Sequence, residues 1–271
     1  MDYNTILSLV YEARRIVFSS DLQAQEKNAN PYDFVTAVDT GISDFLKEAL
    51  AKAFPEVGFM TEEESKHALR ERSFILDPID GTTNLIYDYK MSSISLAYAE
   101  KGRVQFGVVF NPFTGEIFFA VRGRGAHLFN AKDGIDELLA VGVENYAENT
   151  LTVSDRPLQK ALIEFGAGSS HKDQAAETFA RAQRVFEGCL DLRRICSTAI
   201  AVCYIAAGRL DGYFEKVIKP WDYAAAILVL EEAGGRSSDW SGSPLPLDRA
   251  GTIVCANATI YEQLKTLVNG D

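Results

Sequence analysis

The chain has 271 residues, 47% hydrophobic and 24% charged, a balance that suits a folded globular protein of one large domain or two packed lobes. With 38 acidic against 27 basic residues its formal net charge is −11, which argues against nucleic-acid or anionic-membrane partners. Cys189, Cys196, Cys203 and Cys255 form no Cys-x-x-Cys pair, no run approaches the roughly 18 apolar residues of a membrane span, and Met1-Asp-Tyr-Asn4 lacks a basic, apolar leader. Buried, reduced thiols and a cytoplasmic location are therefore expected.

Ile6, Leu9, Val10, Ala13 and Val17 recur at helical spacing and predict an amphipathic helix over 3–18. Residues 19–33 are polar, contain Pro31 and read as a loop. Asp39-Thr40 precedes a second helix, with Ile42, Phe45, Leu46, Ala49 and Leu50 on one face and Pro55 at its end. Val57 to Met60 reads as a short strand leading into Glu62-Glu-Glu64.

Ser73 to Leu76 predicts a buried strand that ends at Asp77-Pro-Ile-Asp-Gly-Thr-Thr-Asn84. Pro78 and Gly81 are expected to turn the chain, and Thr82 to Asn84 to open a helix. Two carboxylates on such a corner suit a hard cation, with N–H groups after Gly81 available to an anion. The same residues read equally well as an Asp-Pro turn followed by a helix-capping Asp.

Residues 92–129 show the alternation of an antiparallel meander, with turns at Lys101-Gly-Arg103 and Asn111-Pro-Phe-Thr-Gly115. A polar connector over 130–149 follows. Strands are expected at Leu151–Ser154, Leu190–Ile195 and Leu210–Phe214, and helices at Asp173–Phe186, Thr198–Ala207, Asp222–Ala233 and 259–268. This order predicts an α+β lobe over 1–145 and an α/β lobe over 146–271, in layers.

Asp39 and Asp222 each fit a helix N-terminus, worth ~0.3–1 kcal/mol to the dipole, and the Glu run fits a solvated face. Several acids at the ends of apolar runs, one pair beside Gly and Thr, fit a two-ion site as well. His67 and His127 read as structural, and His171 as a solvated loop residue.

The octapeptide at 77–84, Trp221-Asp-Tyr-Ala-Ala225 followed by Glu232-Ala-Gly-Gly235, and Asn111-Pro-Phe-Thr-Gly115 with Arg122-Gly-Arg-Gly125 together resemble the inositol monophosphatase family over nearly the whole chain. The resemblance implies a layered αβαβα sandwich of the inositol monophosphatase and fructose-1,6-bisphosphatase type, a homodimer, and lithium-sensitive, magnesium-dependent hydrolysis of a phosphomonoester. It implies that Glu62, Asp77 and the Ile79 carbonyl hold one magnesium and that Asp77, Asp80 and Asp222 hold a second. Thr82 and Asp39 would orient the attacking water, and Glu63 would support that water or a weaker third ion. Gly81 and Thr82 would bind phosphate through backbone N–H groups. Ser197, Thr198, Ala199 and Glu215 would meet substrate hydroxyls, with an N-cap role equally open for Ser197.

The chain departs from the family at Thr61, at Ser197 where Gly is usual, at Lys219, and over Leu85-Ile-Tyr-Asp-Tyr-Lys90. Lys27 stands near a family lysine but out of register. Thr83-Asn84 disfavours the nucleotide-bisphosphate and histidinol-phosphate branches of the superfamily. Inositol monophosphate or a similar polyol phosphate is the expected substrate. Fructose 1,6-bisphosphate, broad sugar-phosphate specificity, or an interaction protein with residual hydrolysis are the alternatives.

Overall fold

Amphipathic spacing builds the outermost layer. In the computed structural model, which describes residues 1–19, 24–26, 34–63, 69–168 and 170–270, Ile6, Leu7, Val10, Ala13 and Val17 form the buried face of α1 (Tyr3–Ser19). Lys27, Glu64 and His67 lie outside the described residues. The expected loop over 19–33 includes a strand, β1 (Ala24–Glu26), which pairs antiparallel with β2 (Phe34–Thr36). Helix α2 (Ala37–Ala53) begins before Asp39, because Thr36 and Asp39 form a capping box. The Thr36 hydroxyl accepts the N–H of Val38 at 3.2 Å, and Asp39 Oδ2 accepts the Thr36 N–H at 2.8 Å.

Next comes a six-stranded sheet in sequential order: β3 (Gly58–Thr61), β4 (Arg72–Asp80), β5 (Ser93–Glu100), β6 (Arg103–Asn111), β7 (Glu116–Val121) and β8 (Ala126–Asn130). β3 and β4 are parallel and the rest antiparallel, so the meander expected over 92–129 is present with one further strand, β8. β4 does not end at Leu76. It runs through Pro78 to Asp80, with a register shift against β5 between Asp77 and Asp80. That irregularity accommodates Pro78, which has no N–H for a regular ladder. Gly81 then turns into α3 (Thr82–Ile86).

The expected connector over 130–149 contains α4 (Asp136–Val141). Leu151 to Ser154 is not a strand. The Leu151 N–H goes to Ala126 O at 2.8 Å and the Val153 N–H to Ala233 O at 3.1 Å, so its hydrogen bonds are divided between two elements. The strand on this side is β9 (Leu162–Phe165), which the sequence reading did not single out. It is followed by α5 (Ala175–Gly188), β10 (Asp191–Arg193), α6 (Thr198–Ala206), β11 (Gly212–Ile218), α7 (Pro220–Glu232), β12 (Arg236–Ser238), β13 (Gly251–Ala256) and α8 (Tyr261–Asn269). The second sheet has the order β10-β9-β11-β13-β12.

Three apolar cores fill the spaces between five layers, α1/α2, first sheet, α6/α7, second sheet and α5/α8, with the middle core spanning both faces of α6/α7. The αβαβα sandwich is therefore the observed architecture. Helix α7 is buried from Pro220 to Leu230 with the exception of Asp222, which is half-buried, because it is enclosed between two sheets. Among the described residues no helix is long and apolar enough to cross a membrane. The four cysteines are free. Cys203 and Cys255 are buried as expected, Cys189 is half-buried, and Cys196 is exposed.

Candidate active site

The corner between β4 and α3 carries the site. Gly81 sits at φ +88°, and a Cβ there would come within 3.0 Å of Met91 O and 3.2 Å of Cys196 O. Only glycine fits such a crowded left-handed position. Asp77 is 2% exposed and its Oδ1 accepts the Ile79 N–H at 3.1 Å. Asp80, 8% exposed, is held from across the molecule by the start of α6. Its Oδ2 accepts from the Ser197 hydroxyl and from the Ala199 N–H at 2.8 Å, and its Oδ1 accepts the Thr198 N–H at 3.3 Å.

Asp222 reaches the same region from the first turn of α7, where Pro220 starts the helix and the Lys219 N–H donates to Asp222 Oδ2 at 2.9 Å. Glu62 follows β3, its N–H bonded to Leu76 O at 3.3 Å. Thr82 donates its hydroxyl to Asp39 Oδ1 at 3.0 Å, with the Ile79 carbonyl at 3.1 Å as a second acceptor.

The charges act on one another. Burial, and then the carboxylates of Glu62, Asp80, Asp222 and Asp39, push the Asp77 carboxyl well above the usual range. Burial and Glu62 raise Asp222 likewise. Asp80 is pushed up to about 6 by burial, against the lowering effect of its three α6 hydrogen bonds. Among the described residues no three acidic, cysteine or histidine side chains are already drawn into a closed ligand cage. The donor set nevertheless fits magnesium. It consists of hard carboxylate oxygens and one strand carbonyl, and burial and neighbouring carboxylates hold Asp77, Asp80 and Asp222 above the usual carboxylate range, which a bound cation would reverse.

Beside the corner opens a cleft of ≈ 290 Å³, whose lining includes Glu62, Asp80, Gly81, Thr82, Thr198 and Glu215. Burial pushes Glu215 up to about 7, while the Tyr213 hydroxyl donates to its Oε2. A Cβ on Gly166 would run into the Glu215 carboxylate, so the residue that follows β9 is a glycine. A larger cavity of ≈ 370 Å³, between α7 and the chain near Pro244, carries none of the predicted site residues.

The structure thus brings Glu62, Asp77, Asp80, Asp222, Asp39 and Thr82 together. Glu63 is half-buried beside Glu62. Of the segment expected at substrate hydroxyls, only Thr198 lines the cleft. Ser197 and Ala199 are buried and bonded to Asp80, and Ser197 also caps α6 by accepting the Ile200 N–H at 3.4 Å. His127 is buried among Phe119 and Tyr146, and His171 does not line this cleft. The sequence reading missed Glu164, Arg194 and Cys196, which also line the cleft. A glutamate at an inward position of the apolar run Ala161-Leu-Ile-Glu-Phe165 was the available signal.

Comparison with known proteins bears on the family and the fold. The inositol-1-monophosphatase of Rhizobium meliloti (strain 1021) is 33% identical over 272 residues, covering 98% of this chain and 95% of that protein. The Nus factor SuhB of Pasteurella multocida (strain Pm70) is 33% identical, covering 96% of this chain and 88% of its own. Among solved structures, the extragenic suppressor protein suhB of Bartonella henselae superposes with a TM-score of 0.84 at 28% identity, covering 98% of this chain and 97% of that one. The Thermotoga maritima IMPase gives 0.83 at 26% identity, with 99% and 96% covered. Family membership supports a phosphatase. Residues 2–270 match the family as a whole, and the chain belongs to the inositol monophosphatase family.

Proposed function

We propose that the chain is a magnesium-dependent phosphomonoester hydrolase acting on inositol monophosphate or a related polyol or sugar phosphate. The observation that carries this reading is the electrostatic convergence of Glu62, Asp77, Asp80 and Asp222 beside a cleft with Thr82 and Glu215 on its wall. Glu62, Asp77 and the Ile79 carbonyl would hold one magnesium, and Asp77, Asp80 and Asp222 a second. Glu63 would support the water or a weaker third ion. Bound magnesium supplies charge neutralisation for the phosphoryl oxygens and a more acidic water.

The chain's own residues then position and move protons. Asp39 Oδ2 is committed to the Thr36 N–H, which leaves Oδ1 facing the Thr82 hydroxyl. Of the two acceptors near that hydroxyl, the Ile79 carbonyl is a proposed metal ligand, so the proton of Thr82 goes to Asp39. Thr82 Oγ1 is then free to accept a proton from the attacking water as general base, relaying through Asp39. The N–H groups of Gly81 and Thr82 would meet the phosphate. Glu215, fixed by Tyr213, would accept hydroxyls of the polyol beside Thr198. A homodimer and a cytoplasmic setting belong to the same reading.

The test is phosphate release from inositol 1-phosphate, glycerol 2-phosphate, fructose 1,6-bisphosphate and 3′-phosphoadenosine phosphate, with magnesium and with chelator. Magnesium-dependent release, fastest on the first two, is expected. A dominant rate on fructose 1,6-bisphosphate would move the substrate to that alternative, and a dominant rate on the nucleotide would sink the substrate class. The relatives named Nus factor SuhB favour a second reading, an interaction protein on this fold with residual hydrolysis. Release too slow to saturate on all four substrates would put that reading first.

A further inference from the structure

Glu164 lies on β9 between β10 and β11, paired in register with Arg193 and Tyr213, and is 1% exposed. Its Oε1 accepts the N–H of Ile195 at 2.6 Å and of Cys196 at 3.2 Å. Among the described residues its Oε2 has no hydrogen-bond partner. From the other side Asn84 Nδ2 donates to Ile195 O at 2.7 Å. The peptide so gripped is unusual, because Cys196 stands at φ +61°, a left-handed conformation that a residue with a Cβ disfavours. The next residue, Ser197, caps α6, and the three donors that hold Asp80 follow directly from it.

We infer that Glu164 is a positioning residue for the metal corner, holding Cys196 in its left-handed conformation so that the start of α6 is aimed at Asp80. This rests on the metal-dependent reading above. A carboxylate buried without a charge partner in contact is costly, and a group that merely filled this space would be apolar. Burial pushes Glu164 up to about 7, so a large share of molecules carry it neutral near that pH. Its role is therefore that of a double acceptor more than of a charge. Removing it would leave two N–H groups unpaired and let the joint relax, and Asp80 would lose its alignment.

The experiment measures magnesium affinity by calorimetry, kcat and KM on inositol 1-phosphate, and amide hydrogen exchange over 195–199, on the full chain. Glu164→Ala is expected to weaken magnesium binding and lower kcat by about 10–100-fold, with KM little changed, as for other residues behind a metal ligand. Exchange at Ile195 and Cys196 should accelerate. Glu164→Gln keeps an acceptor oxygen and should bind magnesium close to wild type. Adding Cys196→Gly to Glu164→Ala should recover much of the loss, because glycine enters this conformation without strain. Should Glu164→Ala not fold, Cys196→Val strains the same joint and should weaken magnesium binding in its place. Wild-type magnesium affinity in Glu164→Ala, a loss in Glu164→Gln as large as in Glu164→Ala, or no recovery in the double variant would overturn the assignment. If wild type itself binds no magnesium, the functional reading fails, and unchanged exchange at 195–199 in Glu164→Ala would separately sink the clamp.

Discussion

Thr82 and Asp39 are 43 residues apart in sequence, and the Thr82 hydroxyl donates to Asp39 Oδ1 at 3.0 Å. The contact links the first turn of α3 to the first turn of α2, so two helix starts bring together residues that each look like ordinary caps and that the proposed mechanism uses as a proton relay. Thr82→Ala and Asp39→Asn should each lower kcat by roughly 10²–10⁴-fold, the usual worth of a positioned general base. Steady-state kinetics with inositol 1-phosphate checks this, with magnesium affinity expected to change far less than kcat.

On the proposed metal-dependent reading, the crowding of acids at the corner costs the metal-free fold stability. Asp77→Asn keeps the oxygen that accepts the Ile79 N–H and removes a buried negative charge that its neighbours repel. The metal-free variant should be more stable than wild type by on the order of 1–3 kcal/mol at pH 7.5 while losing turnover. Denaturant melts in chelator read the first effect and phosphate release the second.

Stability should depend on pH through the same groups. Asp80 has its folded value raised to about 6, above the ordinary range near 4, and Asp77 and Asp222 are also raised well above that range. A raised acid contributes stability that is present below the unfolded value and is lost as pH rises through the folded one. The metal-free Tm should therefore fall as pH is raised from about 4 through 6 and above. Magnesium requires the ionised carboxylates, so the rise in Tm that it produces should be small at pH 5 and grow toward pH 7.5. Thermal melts across that range, with and without magnesium, test both signs.

How much of this was legible in the sequence depends on the range of the interaction. The Asp77–Asn84 corner, the Asp222 helix start and most elements with strong periodicity could be read, because turn chemistry and amphipathic spacing are local. The continuation of β4 through Pro78 could not, since it depends on a register shift against β5. Leu151–Ser154 has the composition of a strand, but its N–H groups are divided between β8 and the end of α7. The bonding of Ser197 and Ala199 to Asp80 spans more than 110 residues and leaves no local trace. Nor does the positive φ of Cys196, at a residue type that does not announce it.

Two motifs read separately turn out to touch. Glu232 at the end of α7 accepts the Gly123 N–H at 2.8 Å and the Gly125 N–H at 2.9 Å. Glu232→Ala should cost about 1–2 kcal/mol by freeing two loop donors, within the range for charge-assisted hydrogen bonds. Because the contact lies at the far end of α7 from Asp222, KM and magnesium affinity should not move. Chemical denaturation together with kinetics distinguishes this from a role in the site.

Asp211 is a second remote anchor, fully buried just before β11 and beside the start of β9. It accepts from Arg156 Nε at 2.9 Å, from the Leu162 N–H at 2.8 Å and from Asn257 and Ser154. Asp211→Ala would strand the other members of that network and should destabilise the protein by about 3–5 kcal/mol. Urea unfolding provides the measurement.

On the proposed reading, Glu62, Asp77, Asp80 and Asp222 act as one magnesium centre that drives phosphate release. The most direct measurement is phosphate release from inositol 1-phosphate against magnesium concentration for wild type, Asp80→Asn and Asp222→Asn, with folding verified by thermal melts. The account predicts saturable, magnesium-dependent release by wild type and none above background by either folded variant. Wild-type rates in Asp80→Asn or Asp222→Asn, or undiminished release by wild type in chelator, would contradict it.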